Sequence, residues 1–347
     1  MEPKTARDRS IDLIKSVAIW NVVLIHVAAA PFSGGTVGSG PWLSALLWAC
    51  LTHSGVPLFL MASGALLLAP ERGLTWRKLA RYILRALAAL LFWAACYKLD
   101  GLALAGRLDP EGLVDAVKHW GLFHHEGHLY YLHIMLLVYA FLPITRLIAR
   151  CASRRLLEYA LALWFLLGIL YPTLLPFWPF TLLRGIPVQW RMNMTYASIG
   201  YTLLGHCLAA YHPRPRRRTS LLLLAAGFLL TFCGTWTLSL AAGTPEDHFL
   251  EGMGVGMFLV ALGEWGLCRS IDLPERAGRL VTGLSRASFC VYLTHVFVLQ
   301  FLARRGIRAA EGPVLVTVPA VSLWIIACCC AAYALLSRIP WVRKWLV

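Results

Sequence analysis

The sequence predicts an all-α integral membrane protein that crosses a bilayer about ten times, with both termini cytoplasmic. Three observations predict it: an apolar composition, apolar runs of membrane-spanning length, and a one-sided distribution of positive charge. Of 347 residues, 59% are hydrophobic and 14% charged, against roughly 25% charged in soluble domains. A soluble chain of this size needs more polar surface than that. The apolar residues gather in runs of about twenty, the length that spans hydrocarbon at ~1.5 Å rise per residue. In order these are 11–30, 43–69, 82–99, 129–148, 156–175, 194–211, 220–241, 250–268, 287–303 and 314–336. The second is long enough to be tilted or broken near Pro57. Neither an internal repeat nor a linker divides residues 1–347, which read as a single transmembrane domain.

Charge sets the orientation. Placing the N-terminus inside makes 1–10, 70–81, 149–155, 212–219, 269–286 and 337–347 the inner segments. With the residues just inside their span ends, these hold 23 of the 32 lysines and arginines, the outer loops hold 8, and Lys15 lies in the first span. Basic loops resist translocation. The net charge of +15 is therefore a topology signal, with no call on nucleic acid as a partner. Lys4, Arg7 and Arg9, an apolar stretch and Ala28-Ala29-Ala30 mimic a secretory leader. Pro31 right after the small residues opposes cleavage, and the stretch reads as a retained first span. The ten cysteines form no CxxC pair and lie mostly in spans, where Cys behaves as a small hydrophobe, Cys328-Cys329-Cys330 included.

Two outer segments stand out. Residues 100–128 carry Asp109, Glu111, Asp115, His119, His124, His125, Glu126 and His128; residues 171–191 mix Pro172, Pro176, Pro179 and Pro187 with Phe177, Trp178, Phe180 and Trp190. The second suits the membrane interface, where amphipathic rings settle, or the rim of a carbohydrate- or lipid-facing mouth. On the inner side, the basic stretch 212–218 is a topology lock.

Ionisable side chains within spans are costly and read as functional by default. The first span holds Asp12, Lys15 and His26. Eleven residues separate Lys15 from His26, close to three helical turns, so the two share a face about 16 Å apart along the axis. Asp12 lies one turn before Lys15, placed to pair with it. The alternatives for these residues are an interfacial ion pair and a hydrogen-bonded core histidine. The second span carries His53, then Pro57 and Ser63-Gly64. A break near Pro57 needs polar neighbours or water, which makes His53 a second candidate for a wet cavity. In the ninth span Ser288, Tyr292 and His295 recur at i, i+4 and i+7 on one face, as a packing seam or as the wall of a shared cavity. His124, His125, Glu126 and His128 offer imidazole and carboxylate, but HExxH spacing and a nearby cysteine are both lacking, so no metal site is expected. No P-loop, GxGxxG or GxSxG motif is present.

With these residues in view, the chain resembles the acyltransferase 3 family of multi-span membrane O-acyltransferases. Asp12, Lys15 and His26 fall on that family's opening pattern of an acid, a base three residues on, and a histidine after ten more. Phe59, Ser63 and Gly64 fall on its second-span pattern, His128, Tyr130 and Tyr131 on a histidine-Leu-aromatic-aromatic pattern, and Ser288, Tyr292 and His295 on a late serine-aromatic motif. The likeness spans residues 9–301, nearly the whole chain. Two departures mark it: the family usually has arginine at the place of Lys15 and often tryptophan at that of Tyr130. Lysine keeps the charge and loses the guanidinium fork. Lacking an appended extracytoplasmic domain, the chain is similar to the compact branch that O-acetylates surface polysaccharide units.

The resemblance implies transfer of an acyl group, acetyl in that branch, from cytoplasmic acyl-CoA to a hydroxyl of a cell-envelope glycan or lipid-linked acceptor in the inner membrane, without a resident cofactor. Asp12, Lys15 and His26 are then the catalytic candidates. Ser63, His128, Tyr130, Ser288, Tyr292 and His295 are the donor- and acceptor-binding ones. Lys15, with Arg77, Lys78 or Arg81, would hold CoA phosphates. His26 would act as general base, with an ordinary pKa of about 6.5 that suits neutral pH, or carry the acyl group as a nucleophile. Two rivals remain: an exporter of a lipid-linked glycan, which would more often show inverted repeats, and a non-catalytic sensor.

Overall fold

The computed structural model describes residues 7–183, 185, 189–192 and 194–347, with side chains from 198 onward in the last stretch. Lys4 and Pro187, named above, lie outside the described residues. Among the described residues every regular element is helical. The helices are α1 Arg9–Ser33, α2 Gly40–Thr52, α3 Gly55–Leu67, α4 Trp76–Leu104, α5 Pro110–Gly121, α6 Tyr130–Cys151 and α7 Arg154–Trp164. A π-helical segment, Phe165–Leu170, carries α7 into α8, Tyr171–Leu174. Then follow α9 Met194–Tyr211, α10 Arg217–Ala242, α11 Val255–Arg269, α12 Glu275–Arg304, α13 Val314–Leu336 and α14 Pro340–Trp345. Nine segments among the described residues are long and apolar enough to cross a bilayer, and α9 occupies the remaining expected stretch, 194–211. The protein is an integral membrane protein.

Several spans outrun their apolar runs. The expected 82–99 and 287–303 are parts of α4, with 29 residues, and α12, with 30. Hydropathy stops at the first charges, whereas the backbone ladder continues through them into the interface. The second expected span is two helices, α2 and α3, parted at His53-Ser54. Pro57 explains the place: it has no N–H for the carbonyl four residues back, and its ring collides with that carbonyl, which belongs to His53. Helix α5 lies in the segment read as an outer loop. Its Asp109 accepts from the Gly112 N–H at 2.7 Å, and Pro110 opens the helix, the usual N-terminal pairing.

Helix α1 lies at the centre, packed against α2, α3, α11, α12 and α13. Asp8 caps it, accepting from the Ser10 N–H at 2.9 Å. Two seams rely on missing side chains. A Cβ on Gly64 would sit 1.8 Å from the Thr202 carbonyl oxygen, and one on Gly205 would sit 2.0 Å from that of Met61, so α3 and α9 meet backbone to backbone. Helices α10 and α11 do the same through Gly227, Gly256 and Gly263. Without a hydrophobic drive between helices in lipid, such close approach supplies dispersion contact. Buried Arg146 ties α6 to the end of α3, donating to the carbonyls of Leu67 and Arg72.

Candidate active site

Residues of one α1 face open onto two cavities. The first, about 220 Å³, is walled by His26, His53, Phe59, His128, Tyr131 and Tyr292, among others. The second, about 380 Å³, is walled by Arg7, Lys15, Arg85, Arg286 and Ser288, with Tyr82 and Tyr139 beside them. The i, i+7, i+11 spacing of Lys15, Val22 and His26 puts both on the same stripe.

In the histidine cavity, backbone carbonyls set the tautomers. Nδ1 of His26 lies 2.7 Å from the Val22 oxygen, four residues back. A carbonyl only accepts, so Nδ1 carries the hydrogen and Nε2, on the far edge of the ring, keeps its lone pair. His53 repeats this on the Ala49 oxygen at 2.8 Å. His295, fully buried, places Nδ1 2.7 Å from the Tyr292 oxygen and its Nε2 3.4 Å from Nδ1 of His26. The ring of His128 stands 5.6 Å from that of His295 and 4.6 Å from that of Tyr97. The Tyr292 hydroxyl donates to the His128 carbonyl at 2.7 Å. Nε2 of His128 is buried with no partner among the described residues, an unmet hydrogen bond beside the cavity. Tyr131 packs edge-on to Tyr292 at 5.5 Å and reaches Ser63. Tyr130, 42% exposed, stands at the mouth. A further space of about 370 Å³ shares His53, Val56, Tyr130 and Gly252 with the histidine cavity and continues to Arg191, Asp247 and Glu251.

The basic cavity lies toward the other end of the bundle. Its walls hold four cations and no carboxylate. Lys15 donates to the Ser285 carbonyl at 3.0 Å and makes no ion pair among the described residues. Asp12 pairs instead with Arg7, at 2.5 and 2.7 Å, and accepts from Ser285 at 2.7 Å and Thr282 at 3.1 Å. The expected Asp12–Lys15 pair is thus replaced. The acid turns toward α12, whose hydroxyls and the flanking Arg7 satisfy all its lone pairs, and its hydrogen bond holds the pKa of Arg7 above the ordinary value. Arg77, Lys78 and Arg81 are not among the cavity walls. Arg85, one turn deeper on α4, takes that place beside Arg286. Ser288 parts from Tyr292 and His295: its hydroxyl donates to the Ser285 carbonyl at 2.9 Å and it faces the basic cavity. The polar stripe of α12 therefore serves both cavities.

Of the outer-segment histidines, His125 faces His133 at 3.3 Å and Glu126 pairs with Lys98 at 3.1 Å. No group of three His, Cys, Asp or Glu that could hold a metal occurs among the described residues. Glu264, on α11, escaped the sequence reading although a carboxylate within a span was itself the signal. It accepts from Asn21 and Ser54.

A family model described as an acyltransferase domain matches residues 8–334. The chain belongs to the acyltransferase 3 family. No curated protein and no solved structure matches it. In this acyltransferase 3 protein the matched stretch contains the histidine cavity whole and the basic cavity but for Arg7. The protein is a membrane-embedded acyltransferase, and the cavities are where its own geometry concentrates ionisable groups that lipid would otherwise exclude.

Proposed function

We propose that this acyltransferase moves an acetyl group from cytoplasmic acyl-CoA, whose phosphates bind in the basic cavity, to a hydroxyl of a cell-envelope glycan or lipid-linked acceptor that enters from the opposite end. The observation that carries this reading is the pairing of a cation pocket with a histidine cavity on one face of α1. About 16 Å of helix separates Lys15 from His26, a gap suited to a donor whose charged end and reacting end are far apart. Arg7, Arg85, Arg286 and Lys15 suit phosphates. The space near Tyr130, Asp247 and Glu251 suits a polyhydroxylated acceptor, with a ring face for C–H groups and carboxylates to accept from hydroxyls. The excess of basic residues on inner loops supports placing both termini and the donor pocket in the cytoplasm, in the inner membrane.

Nε2 of His26 takes the hydroxyl proton as the oxygen attacks the thioester carbonyl. When the carbon–sulfur bond breaks, the imidazolium returns that proton to the departing thiolate. In a two-step route the same nitrogen attacks the thioester first, and the carbon–sulfur bond breaks to release the CoA thiolate. The acceptor oxygen then displaces the imidazole from the acyl carbon, losing its proton to the thiolate or to water. Stopping the enzyme with a denaturant at near-neutral pH, where an acyl-imidazole survives, after brief exposure to labelled acyl-CoA separates the two routes, because only the second leaves label on the protein. The decisive test is release of free CoA from acetyl-CoA by the purified protein, with and without envelope glycan, alongside glycan acetylation in cells with and without the protein. Unchanged glycan acetylation together with no acceptor-dependent CoA release would overturn the assignment of donor and acceptor.

A further inference from the structure

The α2–α3 break is held by a carboxylate of α11. Ser54 sits at the N-cap of α3 yet makes no side-chain cap, although serine is among the preferred capping residues. Its hydroxyl is diverted to Glu264 of α11, donating to Oε2 at 2.5 Å. Asn21 of α1 donates to Oε1 and Oε2 of the same carboxylate at 3.1 and 3.2 Å, and its amide also lies 3.1 Å from the Ser54 oxygen. Three helices thus meet at one acid. A carboxylate within a span is costly and needs a reason, and an apolar residue would pack there without that cost.

What the acid holds adjoins a wall of the histidine cavity. The neighbour of Ser54 on one side is His53, a cavity wall whose backbone carbonyl has lost its partner to Pro57. The neighbour on the other side is Gly55, which presses on α1 so closely that a Cβ would stand 3.0 Å from both the Ala18 oxygen and Val22 Cγ2. Val22 supplies the carbonyl that fixes the His26 tautomer. A broken helix has no continuous ladder to set its direction, so the hydrogen bonds of Ser54 set it.

We infer that Glu264 is a positioning residue for acyl transfer: through Ser54 and Asn21 it clamps the α2–α3 break against α1, and so sets His53 and the Val22–His26 turn around the cavity. The inference rests on the reading of that cavity as the transfer site. The carboxylate is not among the walls of the histidine cavity, and its role is geometric.

Two readouts test it, one of them independent of activity. In the full-length enzyme, Glu264→Ala should lower kcat about 10- to 100-fold, the scale of a small misplacement of reacting groups, with the KM for acyl-CoA little changed. Glu264→Gln keeps acceptor and donor atoms for Asn21 and Ser54 and should recover most of kcat. Ser54→Ala, a mild substitution, should repeat the alanine effect in part, and the Glu264→Ala/Ser54→Ala double variant should be no slower than Glu264→Ala alone. Independently, a cysteine placed at the cavity wall by Val56→Cys, in a cysteine-depleted full chain, should change its rate of reaction with a water-soluble maleimide when Glu264→Ala is added, and return with Glu264→Gln. Full activity in Glu264→Ala overturns the clamp. So does a Glu264→Gln variant as slow as Glu264→Ala with unaltered labelling, since the acid would then act in the chemistry itself. Should the wild type transfer no acyl group, the site reading fails, while the labelling at position 56 still decides the clamp.

Discussion

Nε2 of His295 lies 3.4 Å from Nδ1 of His26, and the two rings meet edge to face at 4.7 Å. Because the Nδ1 hydrogen of His295 is spent on the Tyr292 carbonyl at 2.7 Å, its Nε2 is an acceptor aimed at His26. The Nδ1 hydrogen of His26 is then shared between that nitrogen and the Val22 carbonyl. Both acceptors keep the reactive lone pair on the other nitrogen. His295→Phe should therefore lower kcat with little effect on the KM for acyl-CoA. Added to His26→Gln it should cost little more, since residues acting as a unit are not additive. An additive loss in steady-state rates would separate the two histidines.

His26 itself is the sharpest test. His26→Ala should reduce acyl transfer by about 10²–10⁴-fold if the residue is a general base, and further if it carries the acyl group, while membrane insertion, abundance and CoA binding stay near normal. His26→Gln keeps a hydrogen bond but cannot take the proton. Near-normal turnover by the glutamine variant would make the residue a packing element.

The basic cavity predicts a split between two groups of cations. Lys15→Ala, Arg85→Ala and Arg286→Ala should each raise the KM for acyl-CoA, and Lys15→Arg should be tolerated. Arg77→Ala, Lys78→Ala and Arg81→Ala should leave that KM unchanged, as these residues are not among the cavity walls. Donor titrations of the six alanine variants decide it. Equal effects in both groups would move the donor site toward the start of α4.

Asp12 makes its contacts to Arg7, Thr282 and Ser285, so its loss should register as stability. Hydrogen bonds to a charged group contribute roughly 1.5–3 kcal/mol each, less here because Arg7 is 47% exposed and screened. Asp12→Ala should lower the thermal midpoint of the detergent-solubilised protein, and turnover per folded molecule should fall far less than in His26→Ala. A wild-type melting curve with abolished turnover would place Asp12 in the chemistry.

Orientation is tested by reporter fusions. Reporters after Pro213 and after Val347 should be active inside, and one near Glu111 active outside. A Val347 fusion active outside would remove the even number of spans and the cytoplasmic donor pocket together.

The membrane architecture was legible in the sequence because lipid imposes a one-dimensional rule: about twenty apolar residues per crossing, with every backbone group satisfied inside its own helix. The split at His53-Ser54 was foreshadowed by Pro57, since proline acts on the carbonyl four residues back in the same chain. The α1 stripe of Lys15 and His26 followed from helical periodicity alone. Helix α5 was missed because its Asp109–Pro110 start signal was outweighed by charge.

What periodicity cannot reach is which stripe faces which. One polar face of α12 was expected to act as a unit, and the packing divides it: Ser288 faces Lys15 while Tyr292 and His295 face His26. Asp12 was placed to pair with Lys15, four residues of helix deciding the expectation, yet its partners Ser285 and Thr282 lie on α12. Glu264, Asn21 and Ser54 come from three helices far apart in the chain. The sequence alone determined that this is a multi-span helical protein with ionisable residues inside its spans, because both follow from local chemistry against a uniform solvent. Only the tertiary structure decided how those residues sort into a cation pocket and a histidine cavity. That sorting depends on the rotation of each helix about its own axis, which is set by contacts such as Gly64 against Thr202 between residues with no sequential relation.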